Sequence, residues 1–84
     1  MTDKEFDVLD QLYFVHSFDT VLEETGLTEN DLKEVLSGLL NKGWVRCYSD
    51  LEAEMPITNK QLRPDLSSYF YLATKEGLLV HNGR

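Results

Sequence analysis

Few side chains in this 84-residue sequence have the chemistry to cut, transfer or ligate, and their spacing speaks against each use. The two histidines, His16 and His81, stand far apart, and neither has a second histidine or cysteine three or four positions away. A helical metal pair needs that spacing. His16 reads as a residue between helices, and His81 as a residue at a helix end, where the dipole favours a cation. The single cysteine, Cys47, excludes an internal disulfide and cannot build a structural zinc site alone. A thiolate nucleophile needs a neighbouring base and partial exposure. Cys47 instead falls mid-strand on the same side as Val45, where a thiol packs as a small apolar group. Acids are abundant, but no pair can be assigned to opposite walls of a pocket. No glycine-rich phosphate loop or Gly-x-Ser-x-Gly turn occurs. The expectation is a protein with no catalytic residue, no metal ligand and no cofactor.

Binding chemistry remains. The chain carries 8 bases against 15 acids, for a net charge of -7. Residues 1–40 hold two bases and ten acids, whereas residues 41–84 hold six bases and five acids. An acidic half repels polyanions and attracts a basic protein surface, and it also serves solubility. Five aromatic residues, Trp44, Tyr48, Tyr69, Phe70 and Tyr71, cluster in two short β-favouring runs. Alternation sets Tyr69 and Tyr71 opposite Phe70. Such rings either cover the sheet from inside or form a partner surface of Trp44, Tyr48, Tyr69 and Tyr71, since Tyr and Trp dominate interface hot spots. That surface would serve a protein partner or a second copy in a homodimer.

The elements that position these groups follow from periodicity. Apolar residues at helical spacing predict a first helix over 3–15, with Phe6, Leu9, Leu12 and Tyr13 on one stripe and Val8, Leu12 and Val15 beside it. Ser17 caps a second helix over 18–25, ended by Gly26. Thr28 caps a third over 29–42, with Leu32, Val35, Leu36, Leu39 and Leu40 forming a wide buried stripe and Gly43 ending it. The period then changes to alternation. A strand over 44–49 and another over 68–73 flank a loop over 50–67 that contains Pro56 and Pro64. Thr74 caps a last helix over 75–81, with Leu78 and Leu79 facing inward. The length allows one domain. The longest apolar runs are four or five residues, far short of the roughly 20 that span a bilayer. Met1-Thr2-Asp3-Lys4-Glu5 lacks the basic start and apolar stretch of a secretion signal, so a cytoplasmic protein without membrane contact is expected.

This order resembles the winged helix-turn-helix superfamily. The residues that carry the likeness are Glu24-Thr25-Gly26-Leu27-Thr28 between two helices, then Leu39-Leu40-Asn41-Lys42-Gly43-Trp44-Val45 leading into a strand. The end, Tyr71-Leu72-Ala73-Thr74-Lys75-Glu76-Gly77-Leu78, is similar to the strand-to-helix junction after the wing, including that of MarR-like bacterial regulators. The likeness implies an α+β winged helix: a three-helix core with a helix-turn-helix, a two-stranded wing and a short C-terminal helix. It also implies that the third helix is the recognition helix, with Asn30, Lys33, Ser37, Asn41 and Lys42 available to DNA and Lys60 and Arg63 in the wing touching phosphate. The residues themselves suit that role poorly. The third helix has no arginine, the commonest reader of guanine. At most four bases are placed for phosphate, where tight binders often use about six to ten contacts. The sequence therefore favours a non-catalytic module that binds a protein partner in a regulatory role. The alternative is a small DNA-binding transcriptional regulator, and an accessory subunit of an enzyme is a weaker third option.

Overall fold

Four hydroxyl side chains start four helices in the computed structural model, which describes residues 1–50, 52 and 66–83. Thr2, Ser17, Thr28 and Thr74 each accept a hydrogen bond from the backbone N–H three residues on. Those N–H groups have no partner inside their own helix. The helices are α1 (Asp3–Asp10), α2 (Phe18–Thr25), α3 (Glu29–Lys42) and α4 (Lys75–Asn82). Gly26 and Gly43, with φ of 70° and 75°, end α2 and α3 in the left-handed conformation that costs glycine nothing. The starts at Ser17, Thr28 and Thr74 and both glycine stops lie where the sequence sets them. At Thr2 a full capping box forms, with Glu5 Oε1 accepting from the Thr2 N–H at 2.9 Å.

The first helix is shorter than its apolar period suggests. It ends at Asp10 instead of residue 15, through Gln11 and Leu12 N–H groups that bond back to Val8 and Leu9. The Leu12 carbonyl then accepts from the Ala73 N–H at 2.9 Å. The following residues enter the sheet as a short strand, β1 (His16–Ser17), absent from the sequence-based expectation and placing His16 in a strand instead of a loop. Pairing with a distant strand therefore overrides helical spacing here. The other strands, β2 (Val45–Tyr48) and β3 (Phe70–Ala73), are trimmed versions of the predicted ones, and a 3-10 turn occupies Leu66–Ser68. The rest of the predicted loop over 50–67 lies outside the described residues, apart from Asp50 and Glu52.

The sheet is antiparallel, in the order β1-β3-β2. Opposed residues share a face, and the register sorts them cleanly. Val45 faces Ala73 and Cys47 faces Tyr71, and all four are buried. Arg46 faces Leu72 and Tyr48 faces Phe70 on the other side. Against the first face pack Leu9, Leu12, Phe18, Val21, Leu32, Leu36 and Leu39, none of which is reached by solvent. The described residues form a compact α+β domain of four helices and a three-stranded sheet.

The fourth helix is locked to the start of β2 by backbone. Thr74 donates its N–H to the Trp44 carbonyl at 2.9 Å and its hydroxyl to the Gly43 carbonyl at 2.7 Å. Gly77 lies against that same Trp44 carbonyl, so close that no side chain fits between. This docking sets the rotation of α4. Gly77 and His81 turn inward and Leu78 is half-buried, whereas Leu79, expected to face in, is 63% exposed.

Candidate functional site

The outer side of α3 carries the residues that a recognition helix would use. Asn30, Ser37 and Asn41 are exposed on one face, as expected from the buried phase of Leu32, Leu36 and Leu39. The two lysines of this group are already engaged within the chain. Lys33 Nζ lies 4.0 Å from Glu29 one turn back. Lys42 Nζ lies 2.6 Å from Glu5 Oε2 on α1 and 4.7 Å from the centre of the Trp44 ring, a cation–π placement. Lys60 and Arg63 lie outside the described residues.

Glu5 is 7% exposed, so its carboxylate needs partners. Burial alone pushes its pKa up. The Lys42 ammonium, the Thr2 N–H and the Thr2 hydroxyl outweigh that effect together and hold it below the usual carboxylate range. This cluster pins the start of α1 against the end of α3. Next to it, an open groove of about 390 Å³ runs between the two helices, lined by Thr2, Lys4, Glu5, Asp31, Glu34, Val35 and Gly38. Lys4 Nζ reaches across to Asp31 Oδ2 at 3.2 Å. Glu34 is exposed and takes part in no ion pair among the described residues. A Cβ at Gly38 would meet none of the described residues within 4 Å. No pattern in the sequence announced this groove, because it depends on how α1 lies along α3.

The aromatic surface suggested by the sequence does not form as a unit. Tyr71 is fully buried, with its hydroxyl donating to the Leu66 carbonyl, and Tyr69 is 7% exposed. Trp44 and Tyr48 are half-buried, and Trp44 packs on the core under the Lys42 ammonium. Alternation does set Tyr69 and Tyr71 against Phe70, but the tyrosines take the core side. Both rings cover the sheet from inside, as members of the core.

A second cluster joins α1 to α4. His81 is 8% exposed and stacks on Phe6, with ring centres 4.2 Å apart. The Tyr13 hydroxyl donates to Asn82 Oδ1 at 2.8 Å and lies within hydrogen-bond distance of His81 Nδ1, at 2.9 Å. Nε2 stands 3.3 Å from Asp10 Oδ1, too poorly aligned for a hydrogen bond. His81 thus stands in the last turn of α4, as expected, and packs there against Phe6 of α1. The placement of Gly77, Leu78 and His81 on one face of α4 was the available signal, opposite Phe6 and Tyr13. Cys47 is 1% exposed, and burial pushes its thiol up to about 11, which suits packing and not nucleophilic attack.

Among the described residues no three His, Cys, Asp or Glu side chains converge where a metal ion could sit, and no helix is long and apolar enough to cross a membrane. Compared with known proteins, the chain matches no family model, no curated protein and no solved structure.

Proposed function

We propose that this chain is a non-catalytic winged-helix module that acts by binding a protein partner, in a regulatory role. The winged-helix reading is supported by the strand order β1-β3-β2, with the short first strand between α1 and α2 and the junction of β3 with α4 through Thr74. It is also supported by the tight turn at Gly26 between α2 and α3. The same scaffold serves several kinds of partner, so the choice among them rests on the surface.

One observation carries that choice. Of the bases that α3 would offer to phosphate, Lys42 is paired with the buried Glu5 at 2.6 Å, and Lys33 stands 4.0 Å from the exposed Glu29. Binding DNA through Lys42 would require breaking its pair with Glu5, and a duplex is repelled by Glu29, Asp31 and Glu34 on the same helix. A protein with a basic patch meets no such barrier, and Asn30, Ser37 and Asn41 offer it small polar contacts. The DNA-binding alternative keeps its geometric appeal, since the same residues lie on the outer face of α3, but it lacks free cations there among the described residues.

The test is capture from nuclease-treated and untreated cell extract by the immobilised chain and by a Ser37→Arg variant. A discrete protein retained after nuclease treatment and lost with Ser37→Arg supports the proposal. Retained material that disappears with nuclease treatment refutes it.

A further inference from the structure

We propose that the groove between α1 and α3 is a docking site for a basic side chain, arginine above all, presented by an exposed segment of a protein partner. This rests on the protein-partner reading and gives that partner's chemistry at one place. The groove sets the apolar Val35 and the Cβ-free Gly38 among the carboxylates of Glu5, Asp31 and Glu34. A long basic side chain matches both parts, because its methylene stem lies on apolar surface while its head stays polar. The chain's own Lys4 already shows where a cation stands, with its ammonium 3.2 Å from Asp31. Glu5 is neutralised by Lys42, but Glu34 on the α3 wall has no ion pair among the described residues. Its carboxylate can take both arms of a guanidinium fork, which a lysine ammonium cannot supply.

Gly38 adds an independent observation. It lies inside α3, its φ is not positive, and a methyl group there would touch none of the described residues. Glycine inside a helix costs about 0.5–1 kcal/mol relative to alanine. None of the described residues occupies the space beside this glycine, and the missing Cβ leaves that space open to an incoming side chain. A phosphate or an acidic segment would be repelled by Asp31 and Glu34, and a wholly apolar one would leave both carboxylates without partners.

The experiment is a titration of the full 15N-labelled chain with an acetylated pentapeptide that has one arginine between alanines, and with its glutamine counterpart as control. The expected result is saturable shifts of the Glu34, Val35 and Gly38 amides with the arginine peptide, at a Kd of about 1 mM, and none with the control. Gly38→Leu should weaken binding about tenfold or more without lowering the melting temperature. Glu34→Gln, an exposed isosteric change, should weaken it similarly and keeps the test informative if Gly38→Leu folds poorly. No saturable shift, equal affinity in both variants, or shifts spread equally over Asp19, Glu23 and Glu24 of α2 would overturn the proposal. Random duplex DNA added to the same sample separates the two readings. Shifts at Asn30, Ser37 and Asn41 that vanish with salt would remove the protein-partner reading, whereas silence with both probes would remove only the groove.

Discussion

Two glycines in helices should respond to the same substitution with opposite signs. A Cβ on Gly77 would stand 2.1 Å from the Trp44 carbonyl oxygen and 3.0 Å from its carbon. An ordinary carbon–oxygen contact is roughly 3.3 Å, so about 1 Å of separation must be found between two pieces of backbone. That oxygen accepts the Thr74 N–H at 2.9 Å, and the Thr74 hydroxyl in turn accepts from Gly77 N–H at 3.0 Å. Lifting α4 therefore strains or breaks the bonds that start it. Overpacking costs about 1–3 kcal/mol, and one hydrogen bond lost adds about 1 kcal/mol. Better helix propensity returns about 0.5–1 kcal/mol. Gly77→Ala should thus lose about 2–3 kcal/mol, or about 10–20 °C in Tm for a domain of this size. At Gly38 the first two effects are absent, and Gly38→Ala should gain about 0.5–1 kcal/mol. Urea denaturation followed by far-ultraviolet circular dichroism measures both. Gly77→Ala with an unchanged midpoint would refute the close approach of α4 to Trp44, and a destabilised Gly38→Ala would refute the open space beside Gly38.

Three further outcomes follow from the core and its buried groups. Leu36→Ala should cost about 2–5 kcal/mol in the same assay, since Leu36 is fully buried at the centre of α3; a loss below about 0.5 kcal/mol, typical of surface sites, would place it elsewhere. Cys47 should resist a thiol reagent at pH 8 until the protein unfolds, because a thiol raised to about 11 is only about 0.1% thiolate there; rapid reaction without denaturant would contradict its burial. Glu5 titrates below its ordinary value in the folded chain, so the stability it contributes is fully present above about pH 4.3 and is lost as pH falls through the lower folded-state value. The difference in urea midpoint between the native chain and Glu5→Gln should accordingly be constant from neutral pH down to about 5 and shrink in more acidic solution; a difference that grows in acid would give the opposite sign.

The helix starts were legible because a capping hydroxyl acts within three residues. Ser17, Thr28 and Thr74, with the stops at Gly26 and Gly43, could be placed from local chemistry alone. The leucine stripe of α3 was legible for a similar reason, since a long helix repeats its period often enough to fix the buried side. What failed depends on contacts between distant residues. Leu12 gives its carbonyl to Ala73, and this ends α1 early and frees His16 and Ser17 to pair with β3. The approach of Gly77 to Trp44 turns Leu79 outward, which no helical pattern over eight residues could decide. Tyr69 and Tyr71 alternated as expected, yet alternation gives two faces and does not say which one the helices cover. The basic and polar outer residues of α3 were readable. Their in-chain partners, with Glu5 lying 37 positions before Lys42, were not.

The proposed protein-binding role, with Lys42 paired to Glu5 and Lys33 beside Glu29, predicts that the outer face of α3 does not hold nucleic acid. Fluorescence anisotropy of a labelled random duplex, titrated with the chain at low salt, tests this most directly. Non-specific DNA binders typically give a Kd of about 100 μM down to 1 μM at physiological salt and bind more tightly at low salt. The account predicts no saturable rise in anisotropy across that concentration range. Micromolar binding that weakens steeply as salt is added would contradict it.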